Sequence, residues 1–411
     1  MNAKVGQNLV FLGAMQITNY LVPIIAIPLL LERIGLEKYG IIALSQGLAM
    51  IFVSLTDYGF NLTGTREISQ SLENKDQLRA IFSKIMQARL LLILLGLPVF
   101  LGIIAVTPTW RQDYWVIFSS YLLVVAQVLF PVWYFQGVQK MYLITIFNFA
   151  SRIMYVGGLI FMIREVDDYA YVNLLNGGSW LIWAVVSIYL VIKTIGLPSL
   201  TLDAAIIKGI LKENFKIFSS NALVSVYRGA PILIAGALLT PQALGIYGVL
   251  DKIVSLIHSV AAVIFRSLFP ETSRKGKTSS HATVINYVRT FVYKLLIPAI
   301  PASILLGWLG PDVLAMVTDK IQPEDVTQHF YWIAVFPVLV LLNLTYSLPI
   351  IALDYKSLYF KYHVTGAATM VIAGLLGGYL LGITGLLLSL LATELSMIGY
   401  GERSVRGLRR L

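Results

Sequence analysis

Residues 329–352, HFYWIAVFPVLVLLNLTYSLPIIA, run for twenty-four positions without a Lys, Arg, Asp or Glu. As a helix rising about 1.5 Å per residue, this stretch is long enough to cross a hydrocarbon core of about 30 Å. The same reading extends along the chain. Twelve segments qualify as spans, at roughly 8–31, 40–60, 86–106, 115–135, 142–163, 171–192, 217–239, 246–268, 291–310, 329–352, 362–382 and 384–400, separated by short polar links. With 57% hydrophobic residues, 13% charged residues and a mean hydropathy of +0.78, a soluble domain would be left with far more apolar surface than it could bury. An all-α, polytopic membrane protein is expected.

The links alternate in charge. The termini and even-numbered links carry most of the cations, among them Lys4, Arg66, Lys75, Arg79, Lys84, Lys140, Lys193, Lys208, Arg274, Lys275, Lys356, Lys361 and Arg403. The odd-numbered links hold only Arg33, Lys38, Arg111, Arg164 and Lys320, against acids such as Glu32, Glu37, Asp113, Asp167, Asp168, Asp312 and Glu324. By the positive-inside rule the first set, and with it both termini, faces the cytoplasm. The net charge of +10 is spread over links beside the bilayer, which suits anionic lipid headgroups rather than nucleic acid. The first span has no small-residue cleavage site and is followed at once by a second, so it does not read as a removable signal peptide. The chain has no cysteine, which excludes disulfides, thiolate metal sites and thiol catalysis.

An internal repeat organises the spans. Pro23-Ile24-Ile25-Ala26 precedes Tyr39-Gly40 by the same interval that separates Pro231-Ile232-Leu233-Ile234 from Tyr247-Gly248, and Arg66 and Arg274 share that offset. Pro131 with Lys140 and Tyr142 is echoed less strictly by Pro349 with Lys356 and Tyr359. The expected organisation is an N-terminal six-helix lobe over 1–192, a cytoplasmic linker over 193–216 and a C-terminal six-helix lobe with a basic tail over 217–411. An even number of spans per repeat puts the pseudo-symmetry axis along the membrane normal.

Two such lobes without a sizeable soluble domain imply alternating access to a site between them, and that site should be marked by polar groups inside spans. Three cations qualify: Arg152 in span 5, Arg228 in span 7 and, less deeply, Lys252 in span 8. Arg152 shares a helical stripe with Asn148 and Tyr155, which fits either a cavity wall or an ion pair with an acid on another helix. Arg228 lies between Tyr227 and the helix-bending Gly229 and Pro231, and its repeat equivalent, Tyr20, adjoins a polar side of span 1 formed by Asn8, Gln16 and Asn19. Asp251, Ser255 and His258 fall on one face of span 8, a carboxylate and an imidazole able to carry protons. Asp251 and Lys252 are neighbours about 100° apart and should each find another partner. Glu394 is alone in span 12, as a proton-coupling group or half of a helix-to-helix ion pair. Asp57 reads as an anchor for the end of span 2. Most tryptophans fall near span ends and read as interfacial anchors.

No enzymatic constellation is present. The four histidines lack metal-ligand spacing, and Walker A, HExxH and GxSxG sequences are missing, so neither a cofactor nor a metal is expected.

Asn19-Tyr20-Leu21-Val22-Pro23, Asp57-Tyr58-Gly59-Phe60-Asn61-Leu62-Thr63 and Pro131-Val132-Trp133-Tyr134-Phe135-Gln136-Gly137 with Lys140-Met141 resemble the Wzx-type O-antigen flippases. These form the polysaccharide-transporter branch of the multidrug/oligosaccharidyl-lipid/polysaccharide exporter superfamily. Leu391-Ala392-Thr393-Glu394 extends the resemblance to the last span; it is strongest over the first 142 residues and thin over 271–350. It implies a transporter that moves an undecaprenyl-pyrophosphate-linked oligosaccharide from the cytoplasmic to the periplasmic leaflet of a bacterial inner membrane. The O-antigen polymerase and chain-length regulator are its implied partners. Arg152, Arg228 and Lys252 would then meet the pyrophosphate; Gln16, Asn19, Asn148 and Tyr155 the glycan; and Glu394, Asp251 or His258 would carry a coupling ion. A drug/cation antiporter of the same superfamily should instead have acids dominating its cavity. The lipid II flippase branch usually has two further helices, and a membrane-embedded polysaccharide polymerase should carry larger, arginine-bearing outer loops.

Overall fold

The computed structural model describes residues 3–199 and 203–408. Every regular element among them is helical: α1 (Ala3–Asp57), α2 (Phe60–Gln70), α3 (Lys75–Val106), α4 (Tyr114–Ser119), α5 (Tyr121–Leu129), α6 (Val132–Gly137), α7 (Met141–Met162), α8 (Tyr169–Ile195), α9 (Ala204–Leu238), α10 (Pro241–Thr278), α11 (His281–Val317), α12 (Pro323–Ala352) and α13 (Lys356–Leu408), with two short 3-10 turns. Among the described residues, ten helices are long and apolar enough to cross a membrane. Two of them hold a pair of spans each. In α1 the chain leaves the helical region at Gly35 (φ 76°, ψ 173°), and in α13 at Gly382 (φ 58°, ψ −130°). Side chains other than glycine are strained at positive φ, so glycine is what lets one span follow another with no loop between them. In α13 the result is an antiparallel hairpin: Met370 Sδ meets Ser389 Oγ at 3.9 Å and Thr393 Oγ1 at 3.7 Å, and a Cβ on Gly385 would overlap the Gly377 carbonyl.

The chain divides into two compact units, Met1–Ala222 and Leu223–Leu411. Their boundary falls inside α9. Of the linker expected over 193–216, residues 204–216 are already helical, and part of the rest lies outside the described residues. The basic link expected between spans 8 and 9 is likewise mostly helix, because α10 continues to Thr278 and α11 begins at His281. Hydropathy marks where lipid begins, whereas these helices run on into polar surroundings.

Span 4 is broken into α4, α5 and α6. Pro131 has no N–H to continue α5, and the residue before it is pushed to extended backbone, as Phe130 shows (φ −72°, ψ 111°). The break folds Trp133 inward. It is fully buried beside Phe82, at 5.4 Å between ring centroids, and beneath Gly64. Trp110 and Trp180 are also buried, so these three are packing residues rather than interfacial anchors, while Trp115, Trp308 and Trp332 are exposed.

Two arginines fasten unit 1. Arg33 Nη1 donates to the carbonyls of Leu159, Ile160 and Ile163 at 2.9, 2.7 and 2.5 Å, capping the carbonyl end of α7 where the helix dipole favours a cation. At the α1–α2 turn, Tyr58 and Gly59 both have positive φ. The carboxylate of Asp57 there accepts from the Arg89 guanidinium, which also donates to the Val128 carbonyl at 3.0 Å. Asp57 thus holds the end of α1 against α3 and α5.

Candidate functional site

In unit 2, four helices enclose a polar cavity of about 290 Å³. Helix α9 contributes Tyr227 and Arg228, α10 His258 and Arg266, α12 Asn343 and Ser347, and α13 Tyr359, Tyr362, His363 and Glu394. Apolar walls from Val224, Phe265, Leu344 and Met397 complete it. Each helix delivers its polar groups at helical spacing, as Tyr359, Tyr362 and His363 do at i, i+3 and i+4, so the remainder of each helix stays apolar toward packing or lipid.

One wall is a hydrogen-bonded chain. Tyr362 Oη donates to Asn343 Oδ1 at 2.6 Å, and Asn343 Nδ2 donates to the Glu394 carboxylate and, at 3.2 Å, to the Glu394 carbonyl. Glu394 is only 4% exposed, so the amide replaces water its charge would otherwise lose. The opposite wall is aromatic and basic. Arg228 Nε donates to Tyr227 Oη at 3.4 Å, and its guanidinium also feels the charge of Glu394 without a contact salt bridge. The His363 ring lies 4.5 Å from Tyr359 and 6.2 Å from Tyr227 between centroids, while His258 packs on Phe336 at 5.0 Å. Both ring nitrogens of His363 are buried without a hydrogen-bond partner among the described residues. Two guanidiniums and two imidazoles facing one carboxylate can hold an anion, with phenols and amides for hydroxyl groups.

The sequence candidates divide between this cavity and other places. Arg228, His258 and Glu394 come together in it. Lys252 and Asp251 do not line it. Neither residue forms a salt bridge among the described residues. Arg152, Asn148, Tyr155, Asn19 and Gln16 belong to unit 1. Arg152 stacks over Trp180 at 5.5 Å, its Nε has no acceptor, and no carboxylate among the described residues forms a salt bridge with it. Asn148 Nδ2 donates to Asn19 Oδ1 at 3.4 Å, and Tyr155 hydrogen-bonds Gln46. Gln16 has contacts of its own in α1. The side chains of Asn8 and Tyr20 lie outside the described residues. Residues the sequence reading passed over are Arg266, Asn343, Tyr359, Tyr362 and His363, and in unit 1 Arg89. A lone Asn in the apolar run VLLNLTYS was the available signal for Asn343.

Comparison with known proteins agrees with this architecture. A family model described as "Polysaccharide biosynthesis protein" matches residues 5–275. A protein of Escherichia coli (strain K12) named "Putative O-antigen transporter" is 23% identical over 344 residues, covering 84% of this chain and 82% of its own. One of the same name from Shigella dysenteriae is 22% identical over 404 residues, covering 97% and 100%. Among solved structures, an inward-facing multidrug resistance MATE family transporter of the MOP superfamily superposes with a TM-score of 0.75 at 12% identity, over 95% of this chain and 96% of that one. The lipid II flippase MurJ, in an inward closed conformation, superposes with a TM-score of 0.70 at 13% identity, over 97% and 87%. The fold is thus that of the MOP transporters, in a multi-pass membrane protein. With the matched region covering well over half of its length, the chain belongs to the polysaccharide biosynthesis protein family.

Proposed function

We propose that this protein is a flippase that carries an undecaprenyl-pyrophosphate-linked O-antigen or related repeat unit from the cytoplasmic to the periplasmic leaflet of a bacterial inner membrane by alternating access. The observation that carries the reading is the unit 2 cavity, where His258 and the unpartnered His363 add neutral ring nitrogens and the guanidiniums of Arg228 and Arg266 outnumber the single carboxylate. A pyrophosphate needs such cations, and a glycan needs the adjoining hydroxyls and amides. The prenyl chain needs no protein contact, since it stays in lipid. The relatives named O-antigen transporter and the MurJ-like fold point the same way. In this assignment Arg228 leads the anionic contacts, and Arg152 and Lys252 remain further candidates for them. Glu394 is the coupling group, and the cation-rich links, with both termini, face the cytoplasm.

A cation antiporter is the second reading, favoured by the buried Glu394 facing the cavity. Proteoliposomes loaded with a fluorescent undecaprenyl-pyrophosphate oligosaccharide separate the two. Flipping should expose protected label to an external quencher, and Arg228→Ala should slow it at least tenfold while the protein still elutes as a folded species. Label that stays protected under every imposed proton or sodium gradient would favour the antiporter. Flipping untouched by Arg228→Ala would remove this cavity from the cargo path.

A further inference from the structure

Unit 1 has a second polar cavity, of about 480 Å³, at the link end of its helices. Three lysines from three separate stretches of chain converge on it: Lys75 from the first turn of α3, Lys140 from the α6–α7 turn and Lys193 from the last turn of α8. Tyr134 and Tyr142 stand beside them, apolar side chains such as Leu78 and Leu143 make the remaining wall, and no carboxylate lines it. None of the three ammonium groups forms a salt bridge among the described residues.

The corresponding turn in unit 2 shows that this lack of neutralisation is particular to unit 1. In both units a helix is followed by a positive-φ residue and the next N–H reaches back to close the turn: Gln139 (φ 57°) with Lys140 N to Phe135 O at 2.8 Å, and Asp354 (φ 65°) with Tyr355 N to Ile350 O at 3.0 Å. The backbone device is the same, but the residue on it differs. In unit 2 it is an acid, and Asp354 pairs with Lys356 at 3.2 Å. In unit 1 it is the neutral Gln139, and Lys140, Lys75 and Lys193 line one cavity with no carboxylate among its lining residues.

We propose that this cavity is a headgroup site for an anionic phospholipid, with the lysines on the phosphate and the acyl chains along the apolar wall. Three like charges gathered around one cavity repel one another unless an anion sits among them. Basic pockets between membrane helices beside the headgroup layer suit phosphates held in the bilayer, and the apolar wall supplies what a soluble anion would not use. The site does not depend on which cargo the protein carries.

The test uses the full chain in phosphatidylcholine nanodiscs titrated with dansyl-phosphatidylglycerol, read by energy transfer from tryptophan. Saturable binding is expected, weakened about fivefold for each lysine changed to Gln and roughly a hundredfold in Lys75→Gln/Lys140→Gln/Lys193→Gln. The triple Lys→Arg variant should bind as the parent does, which separates lost charge from lost fold. Lys356→Gln/Lys361→Gln in unit 2 should also bind normally. Equal weakening by that control pair, or no saturation, would overturn the site. Displacement of the lipid by inorganic diphosphate at equal concentration would reassign it to a soluble anion, and displacement by undecaprenyl pyrophosphate but not by phosphatidylglycerol would reassign it to cargo.

Discussion

In unit 1 several buried amides and hydroxyls bond to one another, although Asn148, Asn176 and Asn214 each keep an Oδ1 without a partner among the described residues. Asn173 Nδ2 reaches Ser45 Oγ at 2.7 Å and the Val116 carbonyl at 2.9 Å, Gln46 adds to Asn173 at 3.4 Å, Asn148 meets Asn19, and Asp57 closes on Arg89. In unit 2 a cluster of polar groups stands around open volume, with His363 unpartnered and Arg228 bonded to Tyr227 at 3.4 Å. Two halves linked by a sequence repeat have thus put similar residue types to different uses, as cross-helix ties in one and as a cavity lining in the other. Intramembrane polarity alone does not tell these apart; the space between the groups does.

The contrast can be broken most forcefully at Asp57. Replacing it with Ala leaves the 2%-exposed Arg89 guanidinium without its counter-ion, and about 3–5 kcal/mol of stability should go, read as a fall in melting temperature in detergent. A drop no larger than that of a surface substitution would mean unit 1 is less closed than its contacts indicate. Asn343→Leu should come next, at about 1–3 kcal/mol, because it strips the amide from buried Glu394 and the acceptor from Tyr362. Adding Glu394→Gln to it should recover part of the loss, since the stranded charge is removed; additive losses would deny the coupling. Smallest is Arg152→Met. With no carboxylate to strand and only a ring contact to lose, it should shift stability by about 1 kcal/mol or less. A loss rivalling that of Asp57→Ala would reveal a structural ion pair.

How much of this was legible in the sequence differs by level. The spans follow from hydropathy, and so do the reversals near Gly35 and Gly382, because apolar runs must stop where the chain turns. The helical extensions forward to Thr278 and back to His281 do not, since a polar helix outside the bilayer gives no hydropathy signal. At the site, Arg228 and Glu394 stood out as charges in apolar runs. Their companions Asn343, Tyr362 and His363 did not, because which faces of α12 and α13 meet is fixed by packing between helices and leaves no spacing to count. Lys252 stood out in the same way but does not line the cavity.

The hairpin in α13 bears on how the protein is made. Between residues 356 and 408 the only backbone outside the helical region is at Gly382, so the last two spans have no connecting loop that could wait in water while one of them settles in lipid. As the nascent chain leaves the ribosome, the first of the pair cannot complete its turn until Gly385 has emerged to lie against Gly377. The two are therefore committed to entering the bilayer as one closed unit.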